Sequence, residues 1–405
     1  MKLNVIDPYI LSSKVLLVLY LPVSFFIWYI VLNTNAEPII GISTILSILT
    51  FLYFVVFLKY QHLDKNFILF FLFTLYILFY IFIIKTLEGD LVDIYGRSVF
   101  RYHLNTLILS TMSYIIGRNF IVFKLKWQLA LFSLMLVQIL YNANLINLSI
   151  NLDNVEGDLT GLYLGLSDIF CITSLLLFGS VDKSQIKFKI VLIFLSSLGL
   201  FILNSRSSLY IYLICIIFYF LITFKHIKSI KTIFYLFLST TVIGLIFFDK
   251  INTLLVVNDR MFAVILKSDD ASSNERSRLQ NIGINQITSN PIFGDYGGVV
   301  KINADLGTYI HNLLSYWQTY GLLVFIISLY FFIYQTAKVF RLSYILNYKF
   351  NNHYNYIMLL SSYLLLSTVF AKSYTWFSAW FVLGILHNFL YNYRLYKTKY
   401  TSGNY

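Results

Sequence analysis

Three groups of polar residues interrupt an apolar chain where their types and spacing allow chemistry. In "FILNSRSSLYIYLICIIFYF", Arg206 occupies a tight turn between two apolar runs, flanked by Asn204, Ser205, Ser207 and Ser208. An ionisable residue so close to hydrocarbon is costly unless it snorkels, pairs or lines a hydrated cavity, which makes Arg206 a site candidate. In "SSNERSRLQNIGINQITSNPIFG", Arg276 and Arg278 lie near the start of a predicted helix. A basic residue there opposes the helix dipole, so helix stability does not explain the placement. Two readings stay open for this pair: binding an anion, or balancing Asp269, Asp270 and Glu275. In "GTYIHNLLSYWQTYGLL", His311 and Asn312 directly precede an apolar run. The histidine is either a proton acceptor at the membrane boundary or part of a helix cap, for which Asn312 is the better residue.

The elements that must hold these residues follow from composition. With 59% hydrophobic and 12% charged residues, several stretches reach the roughly 18–20 apolar residues that cross a bilayer. The expected fold is all-α, a single polytopic integral membrane domain over residues 1–405. Hydropathy places about twelve spans near 15–33, 38–58, 66–85, 99–117, 128–147, 160–180, 186–203, 207–224, 232–249, 312–334, 354–371 and 374–393. The run after Lys14 lacks a small-residue cleavage site and reads as the first span. Cys171 and Cys215 both fall inside spans, so no disulfide framework is expected.

The formal net charge of +12 suggests an anionic partner until the charges are placed. Lysines and arginines concentrate in alternate loops and at both ends of the chain, and the positive-inside rule makes those segments and both termini cytoplasmic. Most acidic residues, among them Glu88, Asp93, Glu156, Asp295 and Asp305, fall in the opposite loops, which were not used to set the topology. Scattered over short loops, the basic residues form no stripe that tracks a phosphate backbone, and nucleic-acid binding is not expected. No His/Cys cluster, Gly-rich phosphate loop or external Asp-x-Asp pair appears, so no metal or cofactor is expected.

One external connection, 250–311, is far longer than the others, and a long structured loop is more often functional than idle. Within it, Ser272 and Glu275 fit a capping box, Leu279, Ile282, Gln286 and Ile287 recur at helical spacing, and Pro291 ends the helix near Asn290. The loop is therefore expected to carry short helices on the membrane surface.

Arg206 in "SRSSL", Arg276 followed by Asn290-Pro291-Ile292-Phe293-Gly294, and His311-Asn312 with Gly321 further on occur in this order on one membrane face. In order and spacing they resemble the superfamily of bacterial O-antigen polymerases and O-antigen ligases, over roughly Leu200 to Leu323. Members often carry tryptophan four residues after the loop arginine; here Gln280 stands there. The resemblance implies glycan transfer from undecaprenyl diphosphate onto a sugar hydroxyl on the periplasmic face of the inner membrane. The acceptor is the next lipid-linked repeat unit for a polymerase, and lipid A-core for a ligase. Guanidinium groups bind phosphate oxygens by charge-assisted bonds. Arg206 and Arg276 are accordingly assigned to the diphosphate as catalytic residues, and His311 to the acceptor as general base or orienter. Arg278, Asn312 and Arg101 are the expected substrate-binding residues. Membrane lipids are further partners, and a chain-length regulator is left open. The preferred reading is the polymerase, on the "YIHNLLSYW" wording and composition, and the ligase is the alternative. A lipid-linked oligosaccharide flippase is the rival from another class, but internal repeats and midplane polar residues expected of a transporter are not seen in the sequence.

Several polar residues keep more than one reading. Arg97, Arg101 and His103 extend a basic cavity or snorkel. Asp168, inside the sixth span, needs a partner, for which Arg101 and Arg206 are candidates. Lys372 reads as interfacial, and Trp376 and Trp380 as part of an aromatic belt.

Overall fold

The computed structural model describes residues 7–34, 42–60, 63–141, 143–144, 149–150, 162–223, 271–349 and 354–402. These residues are almost entirely helical. The helices are α1 (Pro8–Val18), running through a π-turn into α2 (Ser24–Thr34), then α3 (Ile42–Val56), α4 (Lys65–Glu88), α5 (Val99–Arg118), α6 (Leu125–Tyr141), α7 (Leu162–Ser180), α8 (Ile186–Ile202) and α9 (Arg206–Thr223). After residue 270 come α10 (Ala271–Ser289), α11 (Gly298–Asn303), α12 (Leu314–Tyr320), α13 (Leu322–Leu329), α14 (Thr336–Lys349), α15 (Asn355–Phe370) and α16 (Phe377–Ser402). The exception is a minimal antiparallel pairing of Ala143–Asn144 with Ser149–Ile150.

Every predicted span overlaps a helix except 232–249, which lies outside the described residues, as do positions 250–270 of the long loop; the span expected over 128–147 ends earlier as a helix, at Tyr141, with Ala143–Asn144 in the antiparallel pairing. Among the described residues, five helices are long and apolar enough to cross a membrane, and shorter apolar helices accompany them. The fold is that of an all-α polytopic membrane protein.

The core is built around α7. In a bilayer an apolar helix can face lipid, whereas one that carries polar residues, as α7 does with Ser167, Asp168, Thr173 and Ser174, turns them into the bundle. Residues 166–179 of α7 are all buried, and α7 packs against α2, α6, α8, α9 and α15. Its hydroxyls obey the rule for polar groups in hydrocarbon: Ser167, Thr173 and Ser174 each donate to the carbonyl four residues back, at 2.7–2.8 Å. The closest helix pair is α5 with α16. A Cβ on Gly117 would lie 2.0 Å from the Phe381 carbonyl oxygen and one on Gly384 would lie 2.3 Å from that of Tyr114, so the crossing depends on small residues, as helix contacts in lipid do.

A buried ion pair joins the C-terminal end of α5 to the start of α4. Asp64 caps α4 by accepting from the Phe67 N–H at 3.0 Å and meets Arg118 at 2.7 Å.

Candidate active site

The connections between α4 and α5, α8 and α9, and α15 and α16, together with the segment 290–313, gather at one end of the bundle. The α8–α9 turn is very short. Asn204 adopts a left-handed conformation (φ 58°) and its N–H bonds the Phe201 carbonyl, so the chain reverses within a few residues and starts α9 at Arg206. Arg206 is half-buried. Ser205 donates to Ser208 at 3.1 Å, and Ser208 donates to Asp168 at 2.8 Å.

Helix α10 has the predicted stripe. Leu279, Gln286 and Ile287 are buried and Ile282 is half-buried, and the helix stops at Ser289 before Pro291. Glu275 turns forward to Arg278, with bonds of 2.7 and 2.8 Å, in place of the backward cap that the capping-box reading expects. Arg278 also reaches Asn303 at 3.2 Å. For Arg278, charge balance is therefore what the geometry displays. Arg276, one residue from Ser277 on the same exposed turn, is not engaged by Glu275 in this way.

The Asn290–Gly294 segment packs directly on the turn that separates α12 from α13. The Ile292 carbonyl accepts from Leu322 N–H at 3.1 Å, that of Pro291 from Trp317 Nε1 at 2.7 Å, and that of Phe293 from the Tyr80 hydroxyl at 2.6 Å. Gly294 and Gly321 both have positive φ, and the backbones approach so closely that a Cβ on Gly321 would lie 2.1 Å from the Ile292 oxygen. A buried amide chain fastens α10 to the histidine segment. Gln286 donates to Asp295, Gln318 donates to Gln286, and Gln318 accepts from Ile310 N–H at 3.0 Å. Gly283 leaves room for Ile310 against α10.

These contacts place His311. The capping duty falls to Asn312, whose Oδ1 accepts from Leu314 N–H at 2.9 Å while its carbonyl accepts from Ser315 Oγ. His311 is half-buried with its ring against Tyr309. Burial, reinforced by the positive charges of Arg276 and Lys372, pulls its pKa down to about 4. Arg276 and His311, far apart in sequence, thus lie within one electrostatic neighbourhood.

Lys372 differs from the sequence expectation. It is 3% exposed, so it is not interfacial, and its ammonium lies 3.0 Å from the fully buried carboxylate of Asp168 and over the Trp376 ring. Asp168 is thus paired with Lys372, and not with Arg101 or Arg206. The same carboxylate accepts from Trp376 Nε1 and, at 3.4 Å, from Ser378. A carboxylate in a span signals a cation partner, and a lysine in the short turn on the acidic side of the topology was the available one. Sequence distance hid the match, because 168 and 372 meet only through helix packing.

Other basic residues separate from the cluster. Arg101 is exposed on the first turn of α5. Arg97 pairs with Asp93 and with Asp305, at 2.6 and 2.8 Å, tying the α4–α5 loop to the segment before His311. His103 is buried, bonds the Tyr320 hydroxyl at 2.8 Å and stacks on Tyr374, so it is a satisfied core histidine and not part of a basic cavity.

Residues 191–327 match a family model described as O-antigen ligase, a span that takes in Arg206, Arg276, the Asn290–Gly294 segment, His311 and Gly321 and is consistent with the O-antigen polymerase and ligase superfamily. The match indicates a glycosyltransferase-like activity of polymerase or ligase type in a multi-pass membrane protein, and does not separate the two. No curated protein and no solved structure matches the chain.

Proposed function

We propose that this chain is an O-antigen polymerase, which moves a growing glycan from undecaprenyl diphosphate onto a sugar hydroxyl of the next lipid-linked repeat unit at the periplasmic face of the inner membrane. Both termini then lie in the cytoplasm. What supports this reading is the match of residues 191–327 to the O-antigen ligase family model, together with a histidine in that segment that Asn312 relieves of capping. His311 accepts the proton of the acceptor hydroxyl, the hydroxyl oxygen attacks the anomeric carbon, and the glycosidic bond to the diphosphate breaks with its electron pair leaving on the lipid diphosphate. Arg206 and Arg276 take up the charge that builds there. The transfer calls on the diphosphate as its own leaving group, which supports a metal-independent step.

The low pKa has a chemical use. A histidine with a pKa near 4 is neutral at working pH but a weak base. A bound diphosphate offsets the Arg276 charge, so the imidazole becomes more basic when the donor is in place. Donor binding and base strength are thereby coupled.

The test is the surface-glycan ladder of a strain with His311→Ala as its only copy, at matched protein level. Core bearing one repeat unit identifies a failed polymerase. Bare core with accumulated lipid-linked polymer identifies a ligase instead. An unaltered ladder removes His311 from the chemistry.

A further inference from the structure

The charged pair buried deepest at this end of the bundle has no role in the transfer as described. Asp168 stands on the central helix α7, 0% exposed, and Lys372 in the turn between α15 and α16 is nearly as enclosed. A buried pair is weak evidence for stability, since desolvation offsets much of its attraction. Its placement gives it another use.

On one side, Asp168 holds Ser208 in the first turn of α9, two residues from Arg206. On the other, it holds Lys372, Trp376 and Ser378, and so fixes the α15–α16 turn. That turn, with the last turn of α15, is bonded to the histidine segment at three points. Leu313 N–H donates to the Thr368 carbonyl at 3.0 Å, Tyr374 N–H donates to Ser315 Oγ at 2.9 Å, and the Tyr309 and Thr375 hydroxyls lie 2.8 Å apart. Among the described residues, a continuous path of polar contacts thus runs from the turn of Arg206 through Asp168 and Lys372 to both flanks of His311.

We propose that Asp168 and Lys372 are positioning residues that set the separation between Arg206 and His311, so that one group meets the diphosphate while the other meets the acceptor hydroxyl. The roles of those two residues rest on the glycan-transfer reading, whereas the spacing itself does not. Neither Asp168 nor Lys372 touches substrate in this account. A charged link is suited to the task because its members have few alternative partners in an apolar surround, so the turn has one bonded position.

The test measures spacing and transfer separately. Spin labels on Tyr210→Cys, one turn beyond Arg206 and exposed, and on Gly307→Cys, exposed before His311, report the distance between the two segments. The natural Cys171 and Cys215 are buried away from the label. Replacing the pair together, Asp168→Leu with Lys372→Met, removes the link without stranding a charge. Ser208→Ala is the milder variant, cutting only the tie to α9. Both variants are expected to broaden the distance distribution at normal protein level. Transfer, read as glycan ladder per molecule, is expected to fall on the order of 100-fold for the double variant, the loss a misplacement of about 1 Å produces. A distribution identical to that of the unsubstituted pair in both variants overturns the proposal. So does a broadened distribution with an intact ladder in a strain where His311→Ala abolishes it. If His311→Ala also leaves the ladder intact, the glycan-transfer reading fails while the distances still decide whether this pair sets the spacing.

Discussion

At the scale of single residues, His311 makes the sharpest claim. As a base it must be unprotonated, so kcat/KM is expected to be flat through neutral pH and to fall as the pH drops through about 4. If, as proposed, bound diphosphate masks the charge of Arg276, the acid limb of kcat is expected at higher pH than that of kcat/KM. Profiles on purified protein check this, and a rate that rises as His311 protonates would contradict the base role. The two loop arginines are expected to separate. In the proposed transfer Arg276→Ala removes a charge that stabilises the leaving group, with an expected loss on the order of 10²–10³ in kcat. Arg278 is held by Glu275 on an exposed helix turn, where solvent screens the pair, so Arg278→Ala is expected to change transfer by a small factor. Equal losses from both substitutions, in a side-by-side ladder assay, would show that the Glu275 contact gives way to substrate.

At the scale of elements, α10 and the Asn290–Gly294 segment depend on contacts that single substitutions can break. Gly321→Ala places a methyl group against the Ile292 carbonyl at positive φ, a backbone strain of about 1–3 kcal/mol before any clash is counted. The expected result is less folded protein in the membrane and a lower melting temperature in detergent. Gln318→Ala leaves Ile310 N–H and Gln286 without their buried partner, costing about 1–3 kcal/mol. Hydrogen exchange is expected to speed up across 271–289 while α7 stays protected. If α10 exchanges as slowly as before, the amide chain is not what holds it against the histidine segment. The sequence displayed α10 well, since its stripe and the Pro291 stop are local signals, yet it misassigned Glu275, whose choice between backward cap and forward arginine is settled by side-chain reach.

At the scale of the whole molecule, the proposal requires the arginine turn and the histidine segment to face the periplasm. Single cysteines at Gly307 and at Lys187 are expected to react with a membrane-impermeant thiol reagent from opposite sides in intact cells, and labelling of both from one side would break the topology. The sequence by itself determined the class, the helices and the three motifs. A bilayer demands long apolar runs, concentrates lysine and arginine in one set of loops and leaves polar residues conspicuous, and these are constraints that act along the chain. Tertiary structure alone decided which polar residues meet. Asn312 takes the cap and leaves the ring of His311 against Tyr309. Arg278 turns to Glu275, His103 sinks among tyrosines, and Lys372 leaves the interface for Asp168, more than two hundred positions earlier. A buried charge costs several kcal/mol until it is paired, and its pairing depends on which helix ends the packing brings to one place.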